Sequence, residues 1–168
     1  RFAQAYPLVQ VEVHCEPSTQ LLQRRDLDLS IVTREPGTEI GQLLRQEHVV
    51  WAAAPGFDLH EHRPLPLATF NTDCFCRAWV CNALDAREIE YRIAYSSPSL
   101  SAIMAIVGAG LALTAQLQSL IPADLQILGE KESLPRLPQT SIVLLRNPQQ
   151  QSPVSETLAG YIADGFRL

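Results

Sequence analysis

Residues 91–116, YRIAYSSPSLSAIMAIVGAGLALTAQ, read as strand, polar helix start, helix, glycine turn and strand. Tyr91, Ile93 and Tyr95 alternate with Arg92 and Ala94, which is the period of a strand. Ser97 offers an N-cap, and Pro98 follows at the first helical position, where its missing N–H costs nothing. Leu100, Ile103, Met104 and Val107 then recur at helical spacing, and Gly108 and Gly110 end the helix before the apolar run from Leu111 to Thr114. A strand-helix-strand crossover of this length joins parallel strands. Beyond a strand's carboxyl end, the free N–H groups of a helix start are where open α/β sheets take small polar or anionic ligands. Ser96, Ser97 and Ser99 place three hydroxyls there.

Working outward, the same alternation of strand and helix recurs. Residues 1–6 read as a helix end stopped by Pro7, so the domain is expected to begin upstream. Val9, Val11 and Val13 alternate with polar residues as a half-buried strand, and Ser18 is expected to cap a short helix. Residues 27–32 and 49–54 read as two further strands. The proline-spaced residues 64–70 are extended. A helix carrying Phe75, Trp79 and Ala83 on one face follows, with Asn71, Thr72 or Asp73 as its cap. Residues 125–128 and 141–145 read as strands, and Ser152 and Pro153 repeat the Ser-Pro helix start, with Val154, Leu158, Tyr161 and Ile162 at helical spacing. This pattern is α/β with largely parallel sheets. The two proline-marked links let the chain leave one lobe, build a second and return.

At 168 residues and 46% hydrophobic content, the chain can bury a core. Its longest apolar runs fall far short of the ~20 residues that span a bilayer, so no membrane partner is expected. A formal net charge of -5 has the wrong sign for gripping a phosphate backbone. Cys15, Cys74, Cys76 and Cys81 are too few and too unevenly placed for a disulfide scaffold, which fits a reducing cytoplasm. Helical spacing sets Cys74 and Cys81 two turns apart with Cys76 pointing elsewhere, so no metal site is expected; packing or solvent-facing thiols is the plain reading, redox sensing the sharper one. His60 and His62 lie in a polar loop. No G-x-S-x-G, phosphate loop or H-E-x-x-H is present, so neither catalysis nor a cofactor is indicated.

The order RFAQAYPLVQVEVHCEPSTQLLQRRDLDLSIVT, HVVWAAAPGFDL, YRIAYSSPSLSAIMAIVGAGLALTA and TSIVLLRNPQQQSPVSETLAGYIADGF resembles the effector-binding domain of LysR-type transcriptional regulators. The YP-x-V-x-V entry, DLDLSIVT and AIVGAGLALTA carry the likeness, over nearly the whole chain. It implies a two-lobed periplasmic-binding-protein-like (type 2) fold, with two α/β subdomains joined by two crossover strands. Residues 1–70 with 140–168 form the expected subdomain I, lacking its first strand, and residues 71–139 form subdomain II. The function implied is small-molecule effector sensing and oligomerisation in a bacterial regulator, the effector being polar or anionic. DNA contact is left to a winged helix-turn-helix absent from this sequence. The alternative is a solute-binding protein of the same fold.

In such a fold strand ends and helix starts line the cleft. The residues so placed are Thr33, Arg34, Asn71, Thr72, Phe75, Ser96, Ser97, Ser99, Thr114 and Gln116. Ser97 is read as the cap, leaving Ser99 free for ligand. Arg34 can clamp a carboxylate or pair with Glu35 in a solvated turn. The resemblance further implies an antiparallel homodimer, and a tetramer at full length, with Val9, Val11 and Val13 of one lobe against Leu100 and Met104 of the other.

Overall fold

The computed structural model describes residues 1–35, 37–71 and 74–167. They divide into two compact units, Arg1–Gln46 with Thr140–Leu168, and Glu47–Gln139. The first boundary of these units therefore falls at 46/47, where the sequence placed it at 70/71. Residues 64–70 had the extended conformation expected of a link, but their alternate side chains are all apolar or small. Of them, Leu65–Thr69 form a strand buried along its whole length within the second unit.

The first unit opens with helices α1 (Phe2–Ala5) and α2 (Ser18–Leu21). Strand β1 (Leu29–Arg34) follows, and β2 (Gln42–Ala53) runs from this unit into the next. Phe2 stacks on Tyr6 with centroids 5.0 Å apart and meets Tyr161 edge-on at 5.6 Å. Val9, Val11 and Val13 form no strand. Alternation specifies a face but not a partner, and among the described residues no strand pairs with this segment, which leaves Val13 77% exposed. Ser18 does not cap α2 either; Pro17 is its N-cap, and Ser18 Oγ accepts the Thr33 N–H at 3.0 Å.

The second unit continues with β3 (Leu65–Thr69), α3 (Phe75–Asp85), β4 (Tyr91–Ser96), α4 (Leu100–Gly108), β5 (Thr114–Leu117) and β6 (Gln126–Leu128). Strands β3 and β4 run parallel, and Leu113 makes a parallel bridge to Leu67. Each crossover helix returns the chain to the strand's starting end, so both crossovers give parallel neighbours. Elsewhere the described ladders are antiparallel: β2 with β5 and with β6. Ala54, Ala68, Ile103, Val107, Ala112 and Leu125 form one core cluster, with Met104 packed against it. Trp51, 2% exposed, donates its indole N–H to Pro135 O at 2.8 Å.

Strand β7 (Gln139–Arg146) brings the chain back to the first unit, where it pairs antiparallel with β1 from Leu29↔Arg146 to Arg34↔Ser141. Helix α5 (Pro153–Gly165) closes the fold, capped by Ser152 as the Ser-Pro start predicts. Its buried stripe is Ser155, Ala159 and Ala163, while Val154 and Tyr161 are 37% and 38% exposed. Helix α3 is rotated from expectation in the same way, burying Cys76, Val80 and Leu84. Phe75 and Trp79 stack on each other at 6.2 Å instead of entering the core.

Candidate functional site

Parallel β3 and β4 end together, with Thr69 opposite Ser96. Past that end, the Ser97 N–H donates to Thr69 O at 3.1 Å, and Ser96 Oγ reaches Asn71 Oδ1 at 3.0 Å. Asn71, Ser96 and Ser97 are thus held at one carboxyl edge. Ser99 joins them by donating its N–H to Ser97 Oγ at 3.1 Å. The two serines exchange the roles expected of them. Helix α4 begins at Leu100 and Ser99 is its N-cap, accepting from Ala102 N at 3.4 Å. The Ser97 hydroxyl instead closes a turn one step earlier, because Pro98 has no N–H to offer and the next donor is that of Ser99.

Beside this edge lies a shallow crevice lined by Thr69, Phe70, Cys76, Arg77, Val80, Ala115 and Gln116. Thr69 and Gln116 are buried, and so is Thr114 on the same strand as Gln116. Thr69 Oγ1 and Thr114 Oγ1 have no hydrogen-bond partner among the described residues. Such orphans cost free energy in the unliganded protein and mark where a polar group can be received. The Arg77 guanidinium reaches Phe70 O at 3.4 Å, a long contact.

Cys74 is the N-cap of α3, with φ -102° and ψ 127°. Because an N-cap is extended rather than helical, the rule that residues two apart diverge does not hold across it. The Cys76 thiol hydrogen-bonds to Cys74 rather than pointing elsewhere, and this bond, opposed by burial and helped by the N–H groups of Cys76 and Arg77, lowers Cys74 to about 6. The same bond, with burial, pushes Cys76 up. Cys81 hydrogen-bonds to Tyr91, whose hydroxyl is pushed up by that contact first and by burial second. Among the described residues no group of three or more His, Cys, Asp or Glu could hold a metal ion.

Thr33 and Arg34 belong to β1 of the first unit. Arg34 Nη2 donates to Ser141 Oγ at 3.2 Å, and Thr140 Oγ1 donates to Arg34 O at 2.5 Å. No ion pair joins Arg34 to Glu35 among the described residues. Thr72 lies outside the described residues.

Comparison with known families matches residues 1–167 to the LysR substrate binding domain. The chain belongs to that family. This LysR substrate-binding domain is 32% identical over 165 residues to the HTH-type transcriptional regulator DgdR of Burkholderia cepacia, covering 96% of this chain and 56% of that protein. The chain spans about half the length of the curated relatives it matches. Among solved structures it resembles the CcmR regulatory domain of Synechocystis PCC6803 in complex with 2-PG, with TM-score 0.69 and 19% identity over 99% of this chain and 88% of that one. It also resembles the apo regulatory domain of HypT from Salmonella typhimurium, with TM-score 0.75 and 12% identity over 99% of this chain and 87% of that one. These likenesses show the fold, that of two α/β units of the periplasmic-binding-protein type.

For the LysR substrate-binding domain, sequence reasoning did not place Thr69, Cys76 or Arg77 at this crevice. The signal for Arg77 was present, since it is the one basic residue in the first turns of a helix otherwise apolar. Nothing in the sequence marked Thr69, whose hydroxyl is orphaned only by the packing around it.

Proposed function

We propose that this domain binds a small polar effector and is the sensing and oligomerising part of a cytoplasmic, DNA-binding bacterial transcriptional regulator. One observation carries the effector site: the edge where β3 and β4 end gathers Asn71, Ser96, Ser97 and Ser99 beside a crevice holding the orphaned Thr69 hydroxyl. Effector binding to one arrangement of the domain shifts its population and so acts on the attached DNA-reading part. Thr72, Phe75, Thr114 and Gln116 of the same unit complete the proposed binding set. The relatives favour this reading over a secreted solute-binding protein or an enzyme, since DgdR and a further curated relative are HTH-type transcriptional regulators.

The experiment is calorimetry of the purified chain against a panel of small carboxylates and polyols, repeated with Asn71→Ala. A ligand that binds the natural sequence and loses affinity in the variant supports the site. Unchanged affinity in Asn71→Ala sets it aside.

A further inference from the structure

Strand β1 has two long edges, and one of them meets β7. The Asn147 N–H donates to Asp28 O at 3.0 Å, one step beyond the Leu29↔Arg146 pair. In an antiparallel ladder alternate residues turn their backbone groups to the partner, so Ser30, Val32 and Arg34 face β7 while Leu29, Ile31 and Thr33 face outward. The Thr33 N–H agrees, since it donates to Ser18 Oγ and not to β7. Among the described residues β7 is the one ladder partner of β1. An outer edge of this kind is a template for another strand.

Residues 16–27 run back along that edge and are tied to both ends of it. Helix α2 packs against β1, with Ser18 at the Thr33 end. At the other end Asn147 Nδ2 donates to Arg25 O at 2.7 Å and to Leu27 O at 3.0 Å. Between these ties Arg24 closes the segment on itself: Nη1 donates to Glu16 before α2, and Nε and Nη2 form a two-pronged pair with Asp26 after it. The Arg24 and Glu16 side chains are 26% and 29% exposed, so their pair is screened less than one standing free in solvent.

We propose that residues 16–27 are a strap that bars the outer edge of β1 to strand addition by a second copy of this chain, and that Arg24 is the positioning residue that keeps it closed. With the strap open, the outward groups of β1 are self-complementary about a two-fold axis. Ile31 meets its own copy and Leu29 meets Thr33, each pair exchanging N–H···O bonds in both directions. Ile31 is 42% exposed, so its side chain leaves room for a neighbour. With the strap closed, the Thr33 N–H is held by Ser18 and α2 stands beside the edge.

Hydrogen exchange, followed amide by amide on the 168-residue chain by NMR, tests the strap. Arg24→Ala should speed exchange at the outward Thr33 N–H about tenfold and leave Ser30 and Val32, which face β7, unchanged. Ser18→Ala should free the same amide with Arg24 in place. Arg24→Lys cannot form the two-pronged pair and should fall between the natural chain and Arg24→Ala. In sedimentation over a concentration series, Arg24→Ala should form species larger than those of the natural chain, and adding Ile31→Lys should return it to the natural size. A Thr33 amide that stays protected, or Thr33 and Val32 accelerating together as in a general loosening, overturns the strap. Thr33 freed without further association, or association that survives Ile31→Lys, overturns the barring of a second copy.

Discussion

Two thiols sharing one hydrogen bond at the head of α3 make stability depend on pH in opposite senses on either side of the ordinary thiol range. In the folded chain Cys74 is lowered to about 6, while an unfolded cysteine titrates at ~8.5. A depressed acid contributes stability that is fully present above its unfolded value and lost as pH falls through the folded one. Cys76 is raised, so its contribution is present below the unfolded value and lost as pH climbs beyond it. Urea midpoints measured from pH 5.5 to 10 should therefore rise and then fall, and the Cys74→Ala, Cys76→Ala double variant should flatten both limbs. At the next helix start, Ser99→Ala removes the N-cap of α4 and should cost ~0.5–2 kcal/mol, read by the same titration. Ser97→Ala should cost less, since its hydroxyl serves a single exposed turn N–H. The serines were legible as a cluster at a helix start; which of them caps was not. The sequence rule favours Ser-Pro, and the choice is made by where the backbone turns helical, a matter of φ and ψ rather than residue type.

Among the elements, α5 has the best-defined start: Ser152 Oγ accepts from Ser155 N at 3.0 Å, and Ser155 Oγ accepts from Ser152 N at 3.0 Å. Ser152→Ala should lower stability by ~1 kcal/mol, and hydrogen exchange should place the loss in the first turn of α5. The turn entering β2 depends on Gly41, whose φ is +69° and whose added Cβ would stand 2.8 Å from the Leu144 carbonyl oxygen. A left-handed alanine costs ~1–2 kcal/mol before any clash, so Gly41→Ala should exceed that and lower Tm measurably. The helices and most strands were legible because their periods are long enough to count. The faces of α3 and α5 were misjudged by one position, since Phe75, Trp79 and Tyr161 drew the expected stripe toward large rings. Those rings find each other or Phe2 at half-exposed positions, while Cys76, Val80 and Leu84 are buried beneath α3 and the small Ser155, Ala159 and Ala163 beneath α5.

For the molecule as a whole, exposed Leu8, Val11 and Val13 form an apolar strip in the first unit, with Leu8 98% exposed. The reading of the domain as a homodimer uses this strip, with Val9 beside it and Leu100 and Met104 as the expected partners, although Met104 already packs on its own core. Sedimentation over a concentration series should show a dimer that Val11→Lys weakens; a chain monomeric throughout, indifferent to that change, removes the dimer. The α/β class was legible from alternation, but the 46/47 boundary was not, because β2 is one uninterrupted strand across it. That same chain path has a consequence for synthesis. The second unit is one continuous stretch, Glu47–Gln139, complete when only the first residue of β7 has been made. Strand β1, made early, has β7 as its ladder partner and must wait for residues 141–146. A nascent chain therefore finishes its second unit before β1 gains the β7 ladder, and until residues 141–146 leave the ribosome that edge of β1 is open to aggregation or chaperone capture.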